Sequence, residues 1–219
     1  MKKNYTLVFL LLISQFVTSQ IVINELDCDT PSIDDKEFIE LKSDTPNFPL
    51  DGYVVVFFNS SSSGANTSYL ALDLDGFTTD VNGLLLIGST LVSPFPQYII
   101  SPNLIQNGPD AVAIYQADDL DFEDKTLAYV DETLIDVLLY DTADANDADL
   151  IALFSAFNPD IQQINEGATH NTNSIQRFVD AFDVVTYVST VPTPRQLNDG
   201  SGIILNGVSM GISQTQYNE

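Results

Sequence analysis

Carboxylates are the side chains whose density in this sequence could support chemistry. Two segments, 118–124 and 141–149, are rich in acidic residues. Calcium needs six to eight oxygen ligands, and several Asp residues in one loop can supply them. The sequence around 141–149 is interpreted as a solvated acidic loop, because it lacks the glycine and distal glutamate of a helix-loop-helix calcium loop. The alternative hypothesis is a calcium site formed by Asp141, Asp144, Asn146, Asp147 and Asp149.

Three glutamates near the start of the chain could form a paired-carboxylate hydrolase site, in which one acid donates a proton and another acts as base. They are Glu25, Glu37 and Glu40. Acids that face outward from strands are also expected by chance in an acidic protein. We therefore favour a structural role, in which a buried Asn24 or Glu25 satisfies backbone groups at the start of the fold.

Other catalytic signatures are missing from the sequence. His170 is the only histidine, and no Gly-x-Ser-x-Gly motif accompanies it, so it is interpreted as a surface residue rather than a catalytic base. No cluster of His and Cys suggests zinc, and no Gly-x-x-x-x-Gly-Lys motif suggests phosphate binding. The sequence predicts a protein that is not an enzyme.

Short β-rich runs separated by turn residues predict an all-β protein. Asp51-Gly52, Asn82-Gly83 and Asn107-Gly108-Pro109 supply the turn chemistry. Runs such as 54–58 and 84–87 are apolar throughout, which is typical of strands buried on both faces. The predicted strands are 21–26, 37–42, 53–58, 69–74, 84–87, 97–100, 111–115 and 134–140.

The segment 147–157 breaks the β pattern. Leu150, Leu153, Phe154 and Phe157 follow helical spacing behind acidic residues that suit a helix start. We predict a short helix that ends near Asn158 and covers one open end of the fold.

The N-terminus has the three regions of a signal peptide. A basic start is followed by the apolar run 7–13 and by small residues before Gln20. The apolar run is shorter than the ~20 residues that span a bilayer, and no later segment is long enough. Cleavage near Ser19/Gln20 and a secreted or cell-surface location are expected.

The chain is strongly acidic. Removing 1–19 takes away Lys2 and Lys3, two of seven basic residues, and none of the thirty-one acidic ones, so the net charge falls from −24 to −26. Direct binding to nucleic acid is disfavoured, because that binding depends on Lys and Arg neutralising phosphates. Cys28 is the only cysteine and is interpreted as a small buried or edge residue, because no basic neighbour in the sequence lowers its pKa.

Residues 20–198 form one predicted domain without internal repeats. The segment 199–219 is interpreted as a linker followed by the first strand of a further β domain. The alternative is that it adds an edge strand to the first domain.

Several motifs occur in the order found in bacterial lamin-tail domains, which the chain resembles over residues 20–198. They are Asn24-Glu25 in the opening strand, Phe38-Ile39-Glu40-Leu41, Leu50-Asp51-Gly52-Tyr53, Leu134-Ile135-Asp136-Val137, and Ser174-Ile175-Gln176-Arg177 followed by Pro192-Thr193-Pro194. Arg195 stands where the family usually has glycine, which leaves the local turn open. The resemblance implies an immunoglobulin-like β-sandwich.

The resemblance also implies a role. Such domains sit on secreted or surface proteins, often beside nucleases or phosphatases, and look like attachment modules. We therefore expect a non-catalytic recognition or spacer module whose protein or surface-glycan partner is unknown. The alternatives are an N-terminal accessory domain of a secreted hydrolase and a calcium-dependent adhesion module.

The strand pattern predicts a hydrophobic core drawn from separate strands. Its expected members, which should be largely buried and lie on the same face of separate strands, are Ile23, Phe38, Leu41, Val54, Val56, Leu86, Val112, Ile114, Val137 and Leu139.

Overall fold

Two β-sheets form the protein, as the sequence predicts for an all-β sandwich. The computed structural model describes residues 21–60, 64–123, 125–167 and 171–202, and the backbone of 212–213. The strands are β1 (Ile21–Asp27), β2 (Phe38–Ser43), β3 (Val54–Asn59), β4 (Thr67–Asp73), β5 (Leu84–Gly88), β6 (Tyr98–Ile99), β7 (Asp110–Tyr115), β8 (Leu134–Asp141), β9 (Gln163–Asn165), β10 (Ser174–Val179), β11 (Val185–Thr190) and β12 (Ile212–Ser213). All eight predicted strands are present, with ends shifted by one or two residues.

The strands divide between a seven-stranded sheet, in the order β11-β10-β1-β2-β5-β6-β12, and a five-stranded sheet, in the order β4-β3-β7-β8-β9. Most neighbours are antiparallel, whereas β5–β6, β6–β12 and β8–β9 are parallel. The pairing of Ile212 with Tyr98 adds a strand to the edge of the first sheet. This is the alternative named for the C-terminal segment, and the domain boundary at 198 stays a prediction.

The main core lies between the sheets, because alternate residues of each strand point into that space. Val55 and Phe57 of β3 contribute from one sheet, and Ile23 and Leu41 contribute from the other. All ten residues predicted as core are buried.

The prediction that these ten residues lie on the same face of their strands is wrong. Val54 and Val56 point away from the main core and pack in a second cluster on the outer face of the five-stranded sheet. Phe38 and Leu86 pack with Val92 in a third cluster on the other sheet. Strands that are apolar throughout are therefore explained by burial of both faces.

Helix α1 (Ala148–Phe154) covers the outer face of the five-stranded sheet. The prediction that it covers an open end of the fold is therefore wrong. It begins at Asp147, whose carboxylate accepts a hydrogen bond from the Leu150 N–H at 2.7 Å, the usual role of an N-cap. Leu150 and Phe154 are buried in the second cluster, and Phe157 lies beyond the helix and is 39% exposed. A 3-10 helix, Asp119–Phe122, adds Phe122 to the same cluster.

Among the described residues, no helix is long and apolar enough to cross a bilayer.

Truncation of Leu150 tests the second cluster. Leu150→Ala should lower the free energy of unfolding by about 2–5 kcal/mol, because it removes buried methyl groups and leaves a cavity. Leu120→Ala, at a side chain that is 71% exposed, should change it by less than about 0.5 kcal/mol. Urea unfolding of both variants measures the difference, and equal effects would contradict the packing of α1 on the sheet.

Candidate functional site

The glutamates that suggested a hydrolase site are all buried. Glu25 and Glu40 are 0% exposed and Glu37 is 2% exposed. Glu37 and Glu40 do not face outward, unlike the acids expected by chance on strands, and the contacts of Asn24 and Glu25 agree with the structural role favoured for them. Their carboxyl groups belong to two separate arrangements.

The first arrangement, here called the closing network, joins β1 and β2 to the segment that follows β11. Glu25 accepts hydrogen bonds from the Thr193 N–H and hydroxyl, both at 2.8 Å, and from the Ser174 hydroxyl at 2.6 Å. Glu40 accepts from the Asn24 amide at 2.9 Å and from the Arg195 N–H at 2.5 Å. Both carboxylates therefore tie the C-terminal segment to the opening strands.

Asn198 and Arg195 complete the closing network. The Asn198 amide donates to the carbonyl oxygens of Asn24 and Arg177, both at 2.9 Å. The Arg195 guanidinium pairs with Asp80 at 3.1 Å rather than with Glu40. Burial therefore raises the pKa of Glu40 well above its usual value, and burial also raises the pKa of Glu25.

The second arrangement, here called the buried acidic cluster, consists of Asp27, Cys28, Glu37 and Glu166. Asp27 ends β1, Glu37 precedes β2, and Glu166 follows β9. A hydrogen bond from the Glu166 N–H to the Asp141 carbonyl at 2.8 Å extends the β8–β9 pairing and positions Glu166 against Cys28.

Hydrogen bonds hold one oxygen of each glutamate in the cluster. Glu166 Oε2 accepts from the Cys28 N–H at 3.2 Å and from its thiol at 2.6 Å. Glu37 Oε2 accepts from the N–H groups of Leu104 and Ile105 at 2.9 and 3.2 Å. The second oxygen of each, together with Asp27 Oδ1, is buried and accepts no hydrogen bond from an N–H or hydroxyl group. A hydrogen bond between the Asp27 and Glu166 carboxyl groups is possible when one of them is protonated.

The surroundings of the cluster raise the pKa of its carboxyl groups and so disfavour their ionisation. Burial, with repulsion from Glu166 and Glu25, raises the pKa of Asp27 to about 9. Burial raises the pKa of Glu37 to about 8 and that of Glu166 to about 7, although hydrogen bonds oppose both shifts. The causes are loss of solvation and like charges close together.

Cys28 is fully buried, which agrees with its interpretation as a small buried residue. Burial and the neighbouring Glu166 raise the pKa of its thiol well above the usual range. A thiol that stays protonated is a poor nucleophile and a poor metal ligand.

The five residues of the calcium hypothesis take different positions. Asp141 is buried and accepts from the Gln163 amide at 2.7 Å, and Asp147 caps α1. Asp144, Asn146 and Asp149 are exposed. In the described part of the chain, no three His, Cys, Asp or Glu residues are gathered around one point as for a metal ion. The calcium hypothesis for this loop stays a prediction.

The remaining candidates from the sequence have local roles or are not described. In the segment 118–124, Asp118 and Asp121 form a capping box at the start of the 3-10 helix. Asp124 and His170 lie outside the described residues. Glu166 could not be predicted from the sequence, because a single glutamate 138 residues from Cys28 gives no local signal.

A groove opens where the edges of the two sheets approach each other. It has a volume of about 210 Å³, and here it is called the edge groove. Its lining residues are Val137, Leu138, Leu139, Asn158, Asp160, Ile161, Gln162, Ile164, Val185, Thr186 and Tyr187. Strand β11, which contributes three of them, is the outermost strand of its sheet.

The β10–β11 hairpin carries exposed apolar side chains beside the edge groove. Phe182 at its tip is 86% exposed, and Val184 and Val185 are 52% and 42% exposed. Val179, Val188 and Val191 are also exposed. An apolar, exposed edge strand is a common place for protein contacts.

Comparison with known proteins found no match for this chain among protein-family models, curated proteins or solved structures.

Asn198→Ala tests the closing network. The substitution removes both amide hydrogen bonds and leaves two carbonyl oxygens without this partner, so the free energy of unfolding should fall by about 1–3 kcal/mol. Denaturant unfolding measures this. Asn158→Ala is the control, because the Asn158 side chain donates to no backbone carbonyl in the described residues and accepts one local bond from the Asp160 N–H.

Because the pKa values of the buried acidic cluster are raised, we expect the stability of the fold to fall as the pH rises. A carboxyl group whose pKa is higher in the folded than in the unfolded chain stabilises the fold below its unfolded pKa, and this contribution is lost as the pH passes the folded pKa. The contribution is therefore lost between about pH 4, near the unfolded pKa values, and about pH 9, the folded pKa of Asp27.

The free energy of unfolding should be at least about 2 kcal/mol lower at pH 9 than at pH 5. Asp27→Asn should reduce this difference, whereas Asp149→Asn, at an exposed carboxylate, should leave it unchanged. Urea unfolding at several pH values measures the slope, and a stability that rises with pH would contradict the assignment.

Proposed function

We propose that this chain is a non-catalytic recognition module of the lamin-tail type, exported to the cell surface or the medium. In this proposal its sandwich is of the immunoglobulin-like kind. The two-sheet architecture is compatible with that fold, and the motifs of the sequence occur in the family's order.

Arg195 supports the proposed family relationship. Its φ is +60°, which lies in the left-handed region that glycine adopts most easily. The family usually has glycine at this position of its closing motif. The turn therefore keeps the backbone shape that a glycine would favour, even though the residue differs.

The contacts of Glu25 and Glu40 support a non-catalytic role. A general acid or base must reach a substrate. Both carboxylates are instead enclosed and accept hydrogen bonds from the C-terminal segment of the same chain. Their position is better explained by closing the fold than by catalysis.

The single observation that carries the recognition proposal is the exposed apolar hairpin beside the edge groove. An extended segment of a partner can add a strand to the edge of a sheet, so that backbone hydrogen bonds give affinity and side-chain pockets give selectivity. Strand β11 offers the edge, and Val185 and Ile164 offer apolar contacts.

Charge determines the kind of partner we propose. The acidic residues Asp160, Asp180 and Asp183 lie on the groove or on the neighbouring hairpin. A second copy of this chain would bring another net charge of −24. We therefore propose a partner protein with an extended segment in which apolar residues are accompanied by lysine or arginine.

A synthetic peptide tests this function. The probe is a peptide of about ten residues, which is long enough to form one strand. It contains alternating valine and threonine residues together with lysines. It should bind the full chain with micromolar to submillimolar affinity by isothermal titration calorimetry. The same peptide with glutamate in place of lysine should not bind, because it is repelled by the acidic surface.

Two substitutions locate the binding surface. Val185→Asp should weaken binding of the lysine peptide at least about tenfold. Val81→Asp, at a valine of similar exposure that does not line the groove, should have no effect. Equal binding of both peptides would contradict the proposal. Self-association that Val185→Asp abolishes, measured by sedimentation, would instead identify the surface as an interface between copies.

A further inference from the structure

The edge groove and the buried acidic cluster meet at Glu166. Ile164, two residues before Glu166, lines the groove. The Ser189 hydroxyl donates a hydrogen bond to the Glu166 carbonyl oxygen at 2.5 Å, and Tyr187, two residues before Ser189, also lines the groove. This hydrogen bond joins the end of β9 to β11, so it sets the separation of the two strands at one end of the groove.

The side chain of Glu166 is held from the other side by the end of β1. Glu166 Oε2 accepts hydrogen bonds from the Cys28 N–H and thiol at 3.2 and 2.6 Å. The Asp27 carboxyl group lies close enough to donate a further hydrogen bond to Glu166 when it carries a proton. Glu166 is 1% exposed, so water does not replace these contacts. The position of one end of the groove therefore depends on a buried pair of carboxyl groups.

Loss of the proton changes the forces on this pair. Two neighbouring carboxylates repel each other, and neither can donate a hydrogen bond to the other. Glu166 directly follows the short strand β9, which spans only Gln163–Asn165, so few backbone hydrogen bonds oppose its displacement. Movement of Glu166 away from Asp27 would carry its carbonyl oxygen away from Ser189.

We propose that the Asp27–Glu166 pair controls the edge groove, so that the groove binds its extended partner while the pair shares a proton and binds it less tightly once that proton is lost. This inference rests on the recognition function proposed above, because the groove is the same. Asp27 and Glu166 are positioning residues in this proposal, since both are buried behind the groove and act on it through Ser189.

The other ionisable groups around the pair do not supply this control. Burial raises the pKa of the Cys28 thiol and of the nearby Tyr140 phenol well above the usual range, so both stay protonated. Among the described residues, no Lys or Arg forms an ion pair with Asp27 or Glu166. Strand β11 presents the neutral Ser189 hydroxyl. The remaining groups add negative charge to the pair or to its neighbours, and they are the carboxyls of Glu25, Asp29, Asp34 and Glu37.

Calorimetric titration of the full chain with the extended peptide at pH 7 and pH 9.5 tests this control. The peptide carries arginine in place of lysine, because arginine stays charged over this range. With a pKa of about 9 for Asp27, about a quarter of the molecules keep the proton at pH 9.5, so the affinity should be about fourfold lower there than at pH 7. Exposed carboxylates are ionised at both pH values and give no such change.

Three variants locate the control. Asp27→Asn places an amide that donates to Glu166 at any pH, so its affinity for the peptide should be the same at pH 7 and pH 9.5. Ser189→Ala removes the link between Glu166 and β11 and should also abolish the difference. Asp149→Asn changes an exposed carboxylate and should keep the fourfold difference.

NMR without the peptide gives a readout that does not depend on recognition. The methyl signals of Ile164 and Val185, which line the groove, should shift between pH 7 and pH 9.5 in the unsubstituted chain and stay in place in Asp27→Asn. The methyl signals of Val81, an exposed valine outside the groove, should not shift in either protein.

The two readouts separate this inference from the recognition function. Groove signals that shift with pH in a chain that binds no peptide would refute recognition and support control of the groove by the pair. Peptide binding that is equal at both pH values, with groove signals that do not shift, would overturn the control and support recognition alone. A fourfold loss of affinity that persists in Asp27→Asn would also overturn the control.

Discussion

The burial of carboxyl groups along β1 and β2 constrains how this sandwich closes. Removing a carboxylate from water is costly unless hydrogen bonds or a positive charge compensate for the lost solvation. Glu25 and Glu40 are compensated by donors from the segment after β11, so that segment must return to the opening strands. The chain ends of the described domain are thus held together by polar contacts within an otherwise apolar fold.

The two groups of acids differ in how completely they are compensated. In the closing network, N–H and hydroxyl donors surround Glu25, and its role is structural. In the buried acidic cluster, burial raises the pKa of Asp27, Glu37 and Glu166, and neighbouring carboxyl groups add to the shift of Asp27. Such a cluster is more stable when its carboxyl groups are protonated, and the stability of the fold is therefore linked to pH.

The outer surfaces of the two sheets differ in how well other parts of the chain cover them. Helix α1 and the 3-10 helix cover the five-stranded sheet, which explains the strands that are apolar throughout. The β10–β11 hairpin has no such cover in the described residues, although Phe182 and Val185 are exposed there. An uncovered apolar edge beside an acidic groove is suited to an extended partner, which is the basis of the proposed recognition role.

Local sequence determined the strands, the start of α1 at Asp147 and the burial of the predicted core residues, because alternation, turn residues and caps act over a few residues. It did not determine which layer each face of a strand packs against, and Val56 therefore lies in the outer cluster rather than in the main core with Ile23 and Leu41. It also indicated acid density at 141–149 rather than the cluster formed with Glu166. Only the tertiary structure decided that contact, because pairing of β8 with β9 brings Glu166 to Cys28 across 138 residues of sequence, and no local pattern records such a distance.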